Sequence, residues 1–134
     1  MRSSQRDAET PSDPLTEKII AAAIEVHRAL GSGLLESAYE ECLCHELALG
    51  GLRFVRQVPL PVRYKAVRLD CGYRMDVVVE QQVVLEIKAV EAILFVHSAQ
   101  LLTYLRLSHL SRGLILNFCV PVLTDGIKRL SLTR

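Results

Sequence analysis

Residues 72–90 read GYRMDVVVEQQVVLEIKAV, two β-branched runs, Gly72 to Glu80 and Val83 to Val90, on either side of Gln81-Gln82. Such runs around a short polar break predict a β-hairpin, and their apolar density predicts that its strands are central to a sheet. Glu86 and Lys88 interrupt the otherwise apolar second run, and Asp76 stands isolated within Met75-Asp76-Val77-Val78-Val79 of the first. A spacing of two places Glu86 and Lys88 on one face of their strand. Charges within a core strand are costly unless paired or bound to a cation, and a Glu86–Lys88 ion pair without any function would meet that need. Asp76 is a second isolated carboxylate, and the register decides whether it joins them. A two-residue turn at Gln81-Gln82 would set Asp76 opposite Ile87, on the wrong face. Only an odd-numbered turn or a bulge sets it opposite Glu86 or Lys88, and the hairpin is expected to carry one.

Two carboxylates at one point form a hard-oxygen site suited to Mg²⁺ or Mn²⁺, completed by water and a substrate phosphate. A cation there would polarise the phosphorus centre and lower the pKa of a bound water, while Lys88 orients that water or stabilises developing charge. Phosphodiester hydrolysis needs these parts. A carboxylate pair alone can be a plain cation site; the lysine is what favours phosphate chemistry.

Outward from the hairpin the periodicity changes. Leu15, Ile19, Ile20, Ala23, Ile24, His27 and Leu30 recur at spacings of three and four, one apolar face of a helix ending at Gly31, with Thr16 and Glu17 at its start. After Gly31-Ser32-Gly33 a second helix is expected through Leu35, Tyr39, Leu43 and Leu47, stopped by Gly50-Gly51. Phe54 to Tyr64 is extended and interrupted by Pro59 and Pro61, an edge strand or two short pieces. Beyond the hairpin a third helix fits His97 to Leu107, a strand fits Leu114 to Cys119, and Gly126 to Leu132 is a candidate final strand. The order ααβββαβ predicts an α/β sandwich, a mixed central sheet flanked by helices.

The 134 residues, half of them hydrophobic, suffice for one compact core, and residues 15–134 are assigned to a single domain. Residues 1–14 are polar and read as a disordered lead-in. The net charge of +1 gives no general basic coat, so a nucleic-acid footprint must be local. No apolar run reaches the ~20 residues that span a bilayer, so no membrane partner is expected. Four cysteines without a CxxC pair, in a sequence with no signal-peptide pattern, suggest a reducing cytoplasm. Cys42, Cys44 and His45 lack zinc-ligand spacing and read as packing residues.

Asp76 followed by Glu86-Ile87-Lys88 on the adjacent strand resembles the D…(D/E)xK signature of the PD-(D/E)XK nucleases. Gly33-Leu34-Leu35-Glu36-Ser37-Ala38-Tyr39 matches the motif that names the GxxExxY protein family, assigned to that superfamily. The resemblance continues through AQLLTYL, GLILNF and DGIKRL, nearly everything after Pro14. It implies a restriction-endonuclease-like core and a nuclease dependent on Mg²⁺ or Mn²⁺. Asp76 and Glu86 would bind the metal, Lys88 would be the catalytic lysine, and Glu36 would support the metal or a ligand water. Gln100 and Tyr104, one turn apart on the third helix, resemble the QxxxY element of RecB-type nucleases.

Each supporting residue also has a structural reading. Glu36 suits a first helical turn through the helix dipole, Tyr39 and Tyr104 suit a core, and His27 lies on an apolar face. Arg53, Arg56, Arg63, Lys65, Arg68 and Arg74 cluster around the first strands, with Lys128 and Arg129 near the end. The cluster could track a phosphate backbone, with Lys65, Arg68 and Arg74 the expected contacts, or could guard a solvated sheet edge. The expected activity is hydrolysis of nucleic acid, with DNA the first choice of polymer. The alternative is a nuclease-fold module that binds or regulates without turnover. A homodimer is a further expectation, since small nucleases that cut two strands often pair.

Overall fold

The computed structural model describes residues 13–133; the expected lead-in lies mainly outside them. The first amphipathic face becomes α1 (Pro14–Leu30). Asp13 caps it, accepting from the Thr16 N–H at 2.9 Å and the Thr16 hydroxyl at 2.8 Å, and Pro14 occupies the first turn, where an N–H is not needed. The helix therefore opens ahead of Thr16 and Glu17, and Asp13 and Pro14 belong to the fold rather than to the lead-in. His27 is buried, and its Nε2 donates to the Val120 carbonyl at 2.8 Å.

After α2 (Glu36–Leu49), the proline-broken stretch forms two pieces, β1 (Phe54–Pro59) and β2 (Val62–Tyr64). A short β3 (Val67–Leu69), which hydrophobic periodicity leaves unmarked, pairs with β2 in a separate two-stranded ladder. The hairpin is β4 (Arg74–Val79) and β5 (Val83–Lys88), followed by α3 (Phe95–Ser108), β6 (Arg112–Asn117) and β7 (Ile127–Ser131). The sixth strand thus ends at Asn117, short of the expected Cys119, and the candidate final strand is present.

The main sheet runs β1-β4-β5-β6-β7, antiparallel except for β5 and β6, whose parallel pairing is made by the α3 crossover. On one face Ile19, Ala23, Tyr39, Leu43 and Leu47 of α1 and α2 meet Val77, Val79, Leu85, Leu114 and Leu116. On the other, Leu101, Tyr104 and Leu105 of α3 meet Val78, Val84 and Ile115. Covered on both sides, β5 and β6 accept near-continuous apolar sequence. Each fully buried aliphatic side chain contributes roughly 1.5–3 kcal/mol. This is the mixed sheet flanked by helices expected from the sequence.

A local break in this sheet positions the site. Arg56↔Val77 and Val58↔Met75 are regular pairs, but between them Gln57 adopts a left-handed φ of 52°, opposite Asp76. Phe54 and Val79 pack on the α1–α2 face while Val58 and Met75 pack on the α3 face. Simple alternation would keep positions 54 and 58, or 75 and 79, on the same side. Both strands change faces at this rung, and Asp76 sits at the change. A left-handed glutamine costs of order 1–3 kcal/mol, and its amide is held by Glu40 Oε1 and Oε2 at 3.1 and 3.2 Å.

Candidate active site

The hairpin register decides what can meet. Val79 pairs with Val83, Val78 with Val84 and Val77 with Leu85, leaving a three-residue turn, Glu80 to Gln82, in which Glu80 and Gln81 take φ of 52° and 56°. The turn is odd-numbered, as expected, and its register carries Asp76 to Glu86. There the regular ladder stops and the two carboxylates enter it. The Ile87 N–H donates to Asp76 Oδ2 at 2.8 Å, and the Asp76 N–H donates to Glu86 Oε2 at 3.3 Å.

Glu86 is 4% exposed, while Asp76 and Lys88 are half-buried. Burial and then the neighbouring Asp76 charge push the Glu86 carboxyl up to about 8, against the Asp76 N–H and the Lys88 charge, which favour the anion. Burial also raises Asp76; the Ile87 N–H opposes this, and the Glu40 charge adds to it. Among the described residues Lys88 makes no ion pair with either carboxylate, so the functionless Glu86–Lys88 pair is not formed.

The segment leaving β5 is pinned from two sides. Glu36, in the first turn of α2, accepts from the Ala89 N–H at 3.1 Å. The buried Asn117, strand partner of Lys88, accepts from the Val90 N–H at 3.0 Å and donates to the Val90 carbonyl at 2.9 Å. The motif residues before α2 explain how Glu36 arrives there. Gly33 adopts φ of 110°, which a side chain would strain. The Tyr39 hydroxyl donates to the Gly31 carbonyl at 2.6 Å and accepts from the Leu34 N–H at 3.1 Å, closing the turn, while its ring stacks on Phe118 at 4.4 Å. Tyr39 is a fully buried scaffold residue, matching its core reading.

Tyr104 is buried on α3, and burial followed by the charges of Glu86 and Asp76 lifts its hydroxyl to about 12. It therefore belongs to the carboxylate neighbourhood. Gln100, one turn earlier and half-buried, makes no hydrogen bond to that neighbourhood among the described residues. Arg74 opens β4 two residues before Asp76, whereas Lys65 and Arg68 lie on the separate β2–β3 hairpin, Lys65 above the Tyr64 ring.

Glu40 escaped the sequence reading. It lies one turn after Glu36 on α2, is 6% exposed, and accepts from Arg56 Nε at 2.9 Å as well as from Gln57. Its neighbour Glu41 accepts from Arg56 Nη1 at 3.1 Å. The i, i+4 relation to Glu36 was the available signal. Cys44 is a buried thiol that burial raises to about 11.

The donor set fits a divalent cation. Among the described residues, buried Glu86 is bonded only by one backbone N–H and lies beside a second carboxylate, and no ammonium or guanidinium pairs with either. Among the described residues no three carboxylate, imidazole or thiol groups converge as a ready-made cage. Two hard oxygen donors, with the remaining positions taken by water and phosphate, are the sparse set Mg²⁺ accepts. Among the described residues no helix is long and apolar enough to cross a membrane.

A model of the PD-(D/E)XK nuclease superfamily matches residues 13–130. No curated protein and no solved structure matches the chain.

Proposed function

Because the chain belongs to the PD-(D/E)XK nuclease superfamily, we propose that it hydrolyses phosphodiester bonds of nucleic acid, DNA first, with Mg²⁺ or Mn²⁺ as cofactor. The five-strand mixed sheet flanked by helices is consistent with the restriction-endonuclease-like fold of that superfamily. The observation that carries the reading is the interlocking of Asp76 and Glu86 across the hairpin, with Lys88 two residues further along.

Asp76 and Glu86 would hold the cation. When bound, it supplies Lewis-acid polarisation of the phosphate and a water of lowered pKa. Lys88, half-buried and without an ion pair among the described residues, orients the attacking water and offsets charge developing on the phosphoryl oxygens. Glu36 fixes the Ala89 backbone and with it the end of the strand that carries Lys88. Tyr104 keeps its proton at neutral pH and is a neutral hydroxyl beside the carboxylates. Gln100 serves the same face of α3, and Arg74, Lys65 and Arg68 contact the polymer backbone. The Gly33 to Tyr39 segment supports placing the chain among GxxExxY proteins.

The test is cleavage of labelled single- and double-stranded DNA and RNA in Mg²⁺ or Mn²⁺, comparing the protein with Lys88→Ala after circular dichroism shows both folded. Cation-dependent cutting that disappears in the variant supports the proposal. No cutting of any of the four substrates in either metal removes it and leaves a nuclease-fold binding module.

A further inference from the structure

Several of the arginines are already committed to carboxylates. Arg53 pairs with Glu80, Arg56 with Glu40 and Glu41, Arg112 with Asp13, and Arg129 with Glu17. Arg63, Arg68 and Arg106 make no ion pair among the described residues, and they converge. Together with Pro61, Leu107 and His109 they line a cleft of about 370 Å³ where the β2–β3 hairpin meets the C-terminal end of α3.

Arg63 and Arg68 stand directly opposite each other in the β2–β3 ladder. Like charges in that position repel, and a ladder of two three-residue strands has little else to offset the repulsion. A helix C-terminus attracts cations, which accounts for Arg106 but not for the opposed pair on the hairpin. Arg106 spends one N–H on Thr103 Oγ1 at 2.9 Å, leaving other guanidinium donors free. Among the described residues no carboxylate lines this cleft. Asp70 lines the adjoining one beyond Arg68, where it accepts from the Gly72 N–H at 3.1 Å. Three arginines from separate elements, lining one cleft to which no described carboxylate contributes, have the charge and the donors that a phosphate group needs.

We infer that the Arg63–Arg68–Arg106 cleft binds a phosphate group, one of the backbone phosphates of the polynucleotide on which the candidate active site acts. The choice of polymer rests on the proposed function; the cleft's affinity for phosphate does not. Two connections favour a polymer over free phosphate. The cleft and the carboxylate site share α3, through Arg106 and Tyr104, and Tyr73 packs edge-on against Tyr104 at 6.1 Å, joining the segment after β3 to the same surface. Lys65 and Arg74 extend the basic line on either side, from the hairpin tip to the start of β4.

The experiment titrates inorganic phosphate into isotopically labelled full-length protein and follows the arginine Nε–H signals. Movement of those of Arg63, Arg68 and Arg106, with Arg53 and Arg129 unmoved, is expected; stationary signals at all three overturn the site, whatever any variant does. Binding of a labelled single-stranded oligonucleotide, measured without added divalent cation so that nothing is cut, identifies the source. Arg68→Gln is expected to weaken it about ten-fold, and to lower the slope of log affinity against log salt by about one. Phosphate binding with oligonucleotide affinity unchanged in Arg68→Gln overturns the polymer assignment. Absence of cleavage by the protein, with the phosphate response intact, counts against the nuclease reading and leaves the cleft standing.

Discussion

Asp76 Oδ2 accepts the Ile87 N–H at 2.8 Å, so a side chain stands where the hairpin ladder would place a backbone carbonyl. Under the proposed function the same carboxylate that terminates the ladder would also hold a cation, and these two duties are separable by mutation. In Asp76→Asn the amide oxygen still accepts from Ile87, so the melting temperature should stay within a few degrees of the parent. Calorimetric Mn²⁺ binding should fall at least ten-fold, because the hard anionic donor is gone. Asp76→Ala leaves the Ile87 N–H without its partner and should cost about 1–3 kcal/mol in denaturant unfolding. Equal stability of the two variants would show that the hydrogen bond does no structural service.

Asn117 acts as a side-chain extension of the sheet. It bonds both backbone groups of Val90 and accepts from the Cys119 N–H at 3.2 Å, holding the chain just beyond Lys88. Asn117→Ala should lose about 2 kcal/mol, and the Val90 amide should exchange with solvent at least ten-fold faster while amides of Val83 and Leu85 keep their relative protection. If Lys88 is positioned by this clamp, cleavage should fall in parallel. A slow Val90 amide in the variant would mean that another group takes over.

The hairpin was readable because it depends on local facts: β-branched runs, and a spacing whose parity fixes which side chains meet. Asp76, Glu86 and Lys88 were found because charges stand out in apolar text. Glu40 was missed for the opposite reason. In a helix already carrying Glu36, Glu41 and Glu46 it looks like one more solvated carboxylate, and only the packing of Arg56 and Gln57 against it makes it a buried one. The face change at Gln57 was equally hidden, since nothing in a glutamine announces a left-handed backbone. The basic cluster was visible as composition, but which arginines are already paired is a tertiary fact. Arg53 and Arg56 answer to carboxylates, whereas among the described residues Arg63 and Arg68 do not.

Asp13 joins the start of α1 to the start of β6 by capping the helix and meeting Arg112 at 2.6 Å. Burial alone would raise its carboxyl, but the bonds from Arg112 and Thr16 outweigh that and hold it at about 2. A carboxyl depressed in the folded state stabilises the fold above its unfolded pKa, near 4, and the contribution is lost as pH falls toward 2. Asp13→Ala should therefore cost about 1–2 kcal/mol at pH 7 and much less at pH 2. Denaturant unfolding at the two pH values checks it. A cost independent of pH would leave the missing cap geometry, not the charge, as the cause.

Glu86 has the reverse linkage. Its carboxyl is raised to about 8, so between roughly pH 4.5 and 8 the folded protein without cation holds a proton that the unfolded chain has released. Stability contributed by the protonated group is fully present below the unfolded value and is lost as pH rises through the folded one. The cation-free protein should accordingly lose a few kcal/mol across that window. Glu86→Gln, whose amide oxygen can still accept the Asp76 N–H, should flatten the profile and melt higher than the parent at pH 8.5. Saturating Mg²⁺ should raise the parent's melting temperature at that pH and leave Glu86→Gln almost unmoved, since a ligand stabilises only the state that binds it. An equal Mg²⁺ response in both proteins would place cation binding elsewhere than between Asp76 and Glu86.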